Sequence, residues 1–308
     1  MNPEPEQDTN DKKGTVIARF GKSADIETSE GQLLNCAIRK AMISIVCGDV
    51  ITWQGHDNND CVICDRQERK TLLERPDASG KYKPIAANID QIIIVSAPRP
   101  GIDLDMIDRY LVAAELIHIE PLILLNKTDL YEKDELQKMQ DLLNTYQIIG
   151  YDIVYSSVKQ DHGLETLLNH LRGKTSILVG QSGVGKSSLA KHLLPDIKIA
   201  IGKLSDTSGQ GRHTTTTTRS YHIDAASSLI DSPGIREFNL WKISPSEVAS
   251  GFREFAEHHG NCRFNDCAHR REPDCAINTA VTEGKIAKRR YDSFIRLCDS
   301  FQEQVQKR

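Results

Sequence analysis

The sequence predicts a multidomain α/β protein, and three features of the chain support this prediction. Short segments of alternating polarity come first, strands that alternate with helices follow, and a cluster of cysteine and histidine precedes a final amphipathic helix. Strands that alternate with helices indicate a mostly parallel sheet with helices on both faces. We therefore expect an N-terminal β-barrel, a central α/β domain and a C-terminal helical domain that binds a metal.

The composition is that of an ordinary globular protein. The chain has 308 residues, of which 39% are apolar and 27% are charged, which suits about two or three domains. No apolar run approaches the roughly 18 residues that cross a bilayer, so no membrane segment is expected. The net charge of −4 argues against indiscriminate nucleic-acid binding. Residues 1–13 are polar and acidic, which predicts a disordered tail rather than a signal peptide.

The first predicted domain is a small barrel over residues 14–75. Residues 15–20, 33–38 and 50–53 alternate apolar and polar side chains and are separated by turn-forming residues. A five-stranded barrel of the oligonucleotide-binding (OB) type fits this length, although periodicity alone does not separate it from other small barrels. Residues 76–88 are expected to form a linker.

The central α/β domain is predicted over residues 89–242. Its buried runs include residues 91–95 and 122–125, and residues 107–117 between them have helical spacing. Residues 243–308 form the third predicted domain, which ends in an amphipathic helix that we expect to pack back onto the protein.

A glycine-rich phosphate-binding loop (P-loop) with the sequence GQSGVGKSS follows a predicted strand and precedes a predicted helix. Its backbone N–H groups can wrap the β-phosphate, Lys186 can reach the β- and γ-phosphates, and Ser187 can ligate Mg²⁺. A glycine-rich turn that merely caps a helix is the alternative, and the complete pattern disfavours it. The predicted phosphate-binding residues are Gly180, Gln181, Ser182, Gly183, Val184, Gly185, Lys186, Ser187 and Ser188.

The magnesium side of the site is predicted from two later segments. Asp231-Ser232-Pro233-Gly234 follows a short apolar strand, which places Asp231 near the Mg²⁺ shell and the N–H of Gly234 near the γ-phosphate. The threonine run at residues 214–218 offers a hydroxyl, and Thr215 is our choice among the five. The predicted magnesium ligands are Ser187, Thr215 and Asp231.

A guanine-reading motif, NKTD, follows the buried strand at residues 122–125. The carboxylate of Asp129 can accept from N1–H and the 2-amino group of guanine, a pair that adenine lacks. Lys127 can lie along the base and Asn126 can bond N7, while a backbone N–H after the next strand can back guanine O6. The predicted base-binding residues are Asn126, Lys127, Thr128, Asp129, Ser156 and Ser157.

The order of these motifs indicates a circularly permuted P-loop GTPase domain that binds GTP and GDP. In ordinary small GTPases the P-loop leads and the base motif trails, whereas here the base motif comes first. The nucleotide-sensing segments then lie at the end of the domain. A short covalent link joins these segments to the C-terminal domain. We hypothesise that loss of the γ-phosphate repositions that domain through this link.

Four side chains predict one structural zinc ion. Cys262, Cys267, His269 and Cys275 lie within fourteen residues, and three thiolates with one imidazole complete a tetrahedral Zn²⁺ shell. Free cysteines beside a surface histidine are the alternative. His258 and His259 are rivals for the nitrogen ligand, but His269 lies inside the loop and is preferred.

The eight cysteines come without a secretory signal, which indicates a reducing compartment and a cytoplasmic protein. Cys61-x-x-Cys64 resembles half a metal site or a redox pair, but it falls in a strand-like run. Buried barrel cysteines are therefore the favoured interpretation.

The motifs together resemble one family, the bacterial ribosome small-subunit-dependent GTPase A. The resemblance rests on the permuted order, GQSGVGKSS, GRHTT at residues 211–215, DSPGIREF at residues 231–238 and the cysteine–histidine cluster. It implies an N-terminal OB barrel, a permuted GTPase domain and a C-terminal zinc domain. It also implies binding to the small ribosomal subunit and its 16S rRNA late in maturation, with subunit-stimulated hydrolysis followed by release. We expect the protein to be a monomer.

The position after Gly234 bears on the mechanism. Ile235 stands where Ras-type enzymes carry the glutamine that orients the attacking water, so intrinsic hydrolysis should be slow. The resemblance suggests His213 as the catalytic group, with a plain surface histidine as the alternative. A GTP-gated RNA-binding or scaffold protein with incidental hydrolysis is the second functional interpretation.

Overall fold

The structure is a computed structural model that describes residues 12–42, 44–55, 58, 60–76, 81–194, 217–231 and 243–306. Three predicted site residues, His213, Thr215 and Gly234, lie outside these ranges, as do residues 1–11 of the predicted tail. Within them, no helix is both long enough and apolar enough to cross a bilayer.

The N-terminal strands form a closed barrel. Strand β1 pairs antiparallel with both β2 and β4, β2 pairs antiparallel with β3, and β4 pairs antiparallel with β5. Strand β3 closes the barrel by pairing in parallel with β5. This connection of all five strands is the OB arrangement, so the predicted barrel is confirmed. Its core contains Val16, Ile26, Ile51, Trp53 and Ile63, all buried. The strands are β1 (Lys12–Phe20), β2 (Ser23–Thr28), β3 (Leu33–Ile38), β4 (Val50–Gln54) and β5 (Val62–Arg66).

Two barrel cysteines meet in this core. Cys36 on β3 and Cys61 before β5 are both buried and adjacent, with their Cα atoms 4.6 Å apart, a separation that a disulfide can span. Cys61 is thus a buried barrel cysteine, as favoured, whereas Cys64 is only partly buried, and the neighbour of Cys61 is Cys36 rather than Cys64. Sequence spacing did not reveal this pair because the two strands become neighbours only when the barrel closes.

The segment expected as a linker contains a strand. Strands β6 (Leu72–Pro76) and β7 (Tyr82–Ala87) form an antiparallel hairpin. The hairpin packs closely on the barrel at Gly48. A Cβ atom on Gly48 would lie only 2.0 Å from the carbonyl oxygen of Ala87. Pro84 hid the strand in the sequence, since proline is confined to edge positions of sheets.

The central domain has the predicted α/β architecture. Its strands lie side by side in the order β10-β9-β8-β11-β13-β12, and all but β12 run parallel. Parallel strands bring their carboxyl ends to one edge, where ligands bind. The elements are β8 (Gln91–Ser96), α1 (Leu104–Leu116), β9 (Glu120–Leu125), α2 (Lys133–Ile148), β10 (Asp152–Tyr155), α3 (Glu165–Leu171), β11 (Thr175–Val179), α4 (Lys186–Leu193), β12 (Arg219–His222) and β13 (Ser228–Asp231).

Strand β12 joins the central sheet to the barrel. It pairs antiparallel with β13 on one side and with β1 on the other, where Ala18 is opposite Arg219. Arg219 also forms an ion pair with Asp25 at 3.2 Å, and His222 contacts Glu27 at 2.6 Å. The barrel is therefore bonded to the strand between the threonine run and Asp231.

The C-terminal region packs an aromatic cluster against the central domain. Phe252 stacks on Phe255 with ring centroids 5.0 Å apart, and both rings contact Phe294. A Cβ atom on Gly251 would lie 2.6 Å from Cγ1 of Val112 on α1, so this region and α1 are in close contact. The helices are α5 (Pro245–Ser250), α6 (Ala276–Thr282) and α7 (Lys288–Gln306), with a 3-10 helix at Arg253–His258.

A buried ion cluster ties α7 to α1. Arg290 and Asp108 are fully buried and contact each other, and Arg290 also bonds Glu254 at 2.7 Å. Burial raises the pKa of Asp108, but the charges of Arg290 and Arg289 outweigh it, so the pKa lies below its ordinary value. The pair therefore stabilises the fold at neutral pH, and this contribution is lost in acid as the pH falls through the lowered pKa.

Replacing Asp108 with alanine is expected to lower the free energy of unfolding by about 3–5 kcal/mol, because Arg290 is left charged and buried without this partner. Asp105→Ala is the matched control, since Asp105 lies on the same helix and pairs with Arg296 on α7 while half exposed. It should cost at most about 1 kcal/mol. Urea unfolding measures both, and equal losses would contradict the assignment.

Candidate nucleotide and metal sites

The P-loop runs from the end of β11 to the start of α4. Gly180, Gly183 and Gly185 have φ values of 133°, 86° and 103°, which favour glycine. A Cβ atom on Gly180 would lie 2.2 Å from the carbonyl oxygen of Val95. Glycine is therefore needed here both for the backbone conformation and for close packing on β8.

The phosphate-side groups converge at this loop. The Nζ of Lys186 donates to the carbonyl oxygens of Gly180 at 2.5 Å and Gln181 at 2.6 Å. Ser187 is exposed on the first turn of α4. Asp231 is exposed at the end of β13, which pairs in parallel with β11. Ser187 and Asp231 thus follow the same end of two adjacent strands, as a shared Mg²⁺ requires.

The base motif is bonded to the P-loop. Asn126, after β9, donates from Nδ2 to the carbonyl oxygen of Val184 at 2.9 Å. Lys127 donates from Nζ to the carbonyl oxygen of Gly183 at 2.6 Å. A Cβ atom on Gly185 would lie 2.5 Å from the Asn126 amide nitrogen, so Gly185 makes this approach possible. The structure therefore brings together two motifs that lie far apart in the sequence.

Ser156 and Ser157 orient the base motif. Ser157 donates from Oγ to Asp129 at 2.5 Å, and Ser156 donates from Oγ to the side-chain oxygen of Asn126 at 3.2 Å. Thr128 donates its N–H and its hydroxyl to the carbonyl oxygen of Ser156, both at 3.1 Å. This network fixes Asn126 and Asp129 in place before any base arrives.

The backbone N–H groups of the two serines are already bonded. That of Ser156 donates to Leu125 at 2.9 Å, and that of Ser157 donates to Gly163 at 3.2 Å. The expected N–H contact to guanine O6 is therefore not offered by either residue in this arrangement. The sequence indicated this segment, but it did not indicate which of its backbone N–H groups form hydrogen bonds within the protein.

Asp103 is a site residue that the sequence analysis missed. Its carboxylate caps α1 by accepting the N–H of Met106 at 3.0 Å, and it also accepts the Nε2 of Gln181 at 3.1 Å. Aspartate before a helix is a recognisable cap, but only the fold shows that this cap also holds the P-loop.

The four predicted metal ligands form a compact group. Their ligand atoms lie within 4.8 Å of one another. The sulfurs of Cys262 and Cys275 are 3.9 Å apart, and each lies 3.5 Å from Nδ1 of His269. A tetrahedral zinc with ordinary bond lengths separates two sulfurs by about 3.8 Å and a sulfur from a nitrogen by about 3.6 Å. The group, with Cys267, fits such an ion.

The surroundings suit this donor set. Burial lowers the pKa of His269, which favours the neutral imidazole that ligates metals. Burial raises the pKa of the Cys267 thiol to about 12, so its thiolate requires a compensating cation. His259, a rival in the sequence, lies with its ring centroid 6.2 Å from that of His269 and outside the group.

Glu272 shapes the loop between the last two ligands. Its carboxylate accepts the backbone N–H groups of Ala268 at 3.1 Å, Arg270 at 2.8 Å and Arg271 at 3.0 Å. Three N–H donors on one carboxylate fold the loop back on itself. Glu272 therefore positions His269, a role that cysteine spacing did not reveal.

Comparison of the sequence with known proteins identifies one family. A profile of the family described as RsgA GTPase matches residues 66–241. The chain is 45% identical over 296 residues to a small ribosomal subunit biogenesis GTPase RsgA of Haemophilus influenzae (strain PittGG), covering 95% of this chain and 86% of the relative. The protein of the same name from Hahella chejuensis (strain KCTC 2396) is 45% identical over 298 residues, covering 96% and 86%.

Two solved structures share the whole architecture. YjeQ from Thermotoga maritima aligns with a TM-score of 0.78 and 31% identity, covering 95% of this chain and 99% of that one. YloQ, described as a circularly permuted GTPase, aligns with a TM-score of 0.78 and 26% identity, covering 98% and 99%. The permuted order predicted from the motifs is thereby confirmed. Fold, motif contacts and sequence agree, and this chain belongs to the RsgA GTPase family.

Proposed function

We propose that this GTPase binds the small ribosomal subunit late in its maturation, hydrolyses GTP when the subunit stimulates it, and then leaves as the GDP form. The observation that carries the proposal is the junction of the base motif with the P-loop through Asn126 and Val184, on a chain whose relatives are named small ribosomal subunit biogenesis GTPases. The cytoplasm is the compartment that this function requires, and we propose that the protein acts there as a monomer.

The motif contacts support the predicted nucleotide roles, and the sequence adds Thr215 to them. Lys186 would contact the β- and γ-phosphates of GTP. Ser187, Asp231 and Thr215 would hold Mg²⁺, which would supply neutralisation of the phosphate charge. Asp129 reads the guanine edge, with Ser157 holding its carboxylate. Since the N–H groups of Ser156 and Ser157 are engaged, we assign the contact with guanine O6 to the next backbone N–H, that of Val158.

The metal cluster holds one structural Zn²⁺. Three thiolates and one imidazole leave no open position for a substrate, so the ion stabilises the fold rather than taking part in hydrolysis. It fixes the loop that follows the aromatic cluster.

RNA contact requires local basic surfaces, because the net charge is negative. We assign contact with 16S rRNA to the barrel and to the zinc domain, which flank the GTPase domain. OB barrels commonly bind oligonucleotides, and Arg263 and Arg271 are exposed beside the metal ligands.

The test is GTP turnover measured with and without purified small subunits, for the wild type and for His213→Ala. Because Ile235 cannot orient water, we expect slow intrinsic turnover that small subunits stimulate at least about tenfold, and we expect His213→Ala to lose most of this stimulation while retaining GTP binding. Large subunits are the control and should have no effect. Turnover that ignores the small subunit would favour a GTP-gated scaffold, and full stimulation of His213→Ala would remove the histidine from the mechanism.

A further inference from the structure

A turn from β8 borders the P-loop. Residues 97–101 close on themselves through a bridge between Ala97 and Gly101. Pro100 at this turn places its Cδ 3.8 Å from the position that a Cβ atom would take on Gly183. The residue before it, Arg99, is exposed. An arginine therefore stands beside the loop that receives the phosphates.

The turn is held along the P-loop at both ends. On one side, Gly180 packs against Val95, the penultimate residue of β8. On the other side, Gln181 bonds Asp103 at 3.1 Å. These two contacts, one on each side of Pro100, hold the turn that carries Arg99 next to the P-loop.

Arg99 has no hydrogen bond or ion pair within the part of the chain that the structure describes. The neighbouring carboxylates are already engaged. Asp103 accepts from Gln181 and from the N–H of Met106, and Asp105 pairs with Arg296 at 2.6 Å. Among the described residues, the Arg99 guanidinium is thus a cation without a partner, carried by a turn that borders the P-loop.

We propose that Arg99 donates hydrogen bonds to the β- or γ-phosphate oxygens of bound GTP and so contributes to nucleotide affinity and hydrolysis. The proposal rests on the GTPase function above. A guanidinium presents a planar pair of donors that matches phosphate oxygens, and it offsets the negative charge that the β–γ region carries during hydrolysis. This contribution is useful in a site where Ile235 replaces a water-orienting glutamine.

The experiment compares Arg99→Ala and Arg99→Lys with the wild type in full-length protein. Arg99→Ala should weaken binding of a non-hydrolysable GTP analogue about tenfold, with a smaller loss for Arg99→Lys because lysine keeps the charge but loses the paired donors. The salt dependence of the affinity should also become shallower, because one phosphate-contacting charge is gone. Arg39→Ala, which removes an exposed charge from the barrel, is the matched control and should bind like the wild type.

The possible outcomes distinguish failure of the Arg99 assignment from failure of the proposed GTPase function. Weaker binding of both GTP analogue and GDP by Arg99→Ala places the contact at the β-phosphate, and weaker binding of the GTP analogue alone places it at the γ-phosphate. Unchanged affinity, salt dependence and turnover in Arg99→Ala, with normal wild-type binding, would overturn the assignment alone. A wild type that binds no GTP would overturn the proposed function as well.

Discussion

Replacing Cys275 with serine is expected to abolish zinc binding and to loosen the C-terminal helices. Cys275 is buried, its sulfur lies 3.5 Å from Nδ1 of His269, and the residue directly precedes α6. Structural zinc contributes about 10 kcal/mol or more of binding free energy that is available to folding, so loss of one thiolate from the set removes most of it. Metal analysis should find one zinc per wild-type chain and almost none in Cys275→Ser.

Cys298→Ser is the matched control for this experiment. Cys298 is also buried, but it lies on α7 outside the ligand group. Its replacement should keep one zinc per chain and cost about 1–2 kcal/mol from burial of a hydroxyl. Limited proteolysis measures how well the C-terminal helices are protected from cleavage. These helices should become susceptible to cleavage only in Cys275→Ser. Full zinc content in Cys275→Ser would show that the ion is held elsewhere.

Asp129→Asn should invert the base preference of the enzyme. An amide in place of the carboxylate cannot accept from both N1–H and the 2-amino group of guanine, but it can donate to the carbonyl that xanthine carries instead. GTP affinity should fall at least about a hundredfold, because a site built around a buried polar pairing rejects a mismatched base strongly. Xanthosine triphosphate should then bind more tightly than GTP.

The measurement is competition of both nucleotides against a fluorescent analogue, with Asp134→Asn on the exposed face of α2 as the control for loss of one carboxylate. The P-loop contacts of Asn126 and Lys127 do not involve Asp129, so phosphate binding should persist in Asp129→Asn. A variant that still preferred GTP would show that another group reads the base.

Several features of the site could be predicted because each depends on residues close in sequence. The P-loop requires glycines at fixed offsets before a lysine, and the base motif requires an aspartate three residues after an asparagine. The four predicted zinc ligands lie within fourteen residues of one another in the sequence, and the structure brings all four together. The roles of His213, Thr215 and Gly234 stay predictions, because these residues lie outside the described part of the chain. The domain boundaries also stay predictions.

Other features depend on where the chain passes near itself. Strand β7 lies in the segment that was expected as a linker, while its partner β6 lies at the end of the range predicted for the barrel. Cys36 and Cys61 become partners through a parallel pairing of β3 with β5, which no local pattern encodes. From the sequence, Asp103 is recognisable only as a helix cap. The fold brings it within hydrogen-bond distance of Gln181.

The sequence by itself determined the permuted order of the motifs, and it predicted which loop would hold phosphates, which motif would read guanine and which four residues would bind a metal. These are short-range patterns, and their side chains carry the function wherever the fold places them. The tertiary structure alone decided what these groups touch. It bonded Asn126 to the P-loop, engaged the N–H groups of Ser156 and Ser157 in backbone hydrogen bonds, joined the barrel to β12 and placed Pro100, the neighbour of Arg99, beside Gly183. Such contacts depend on strand order and on burial, which act between residues far apart in the chain.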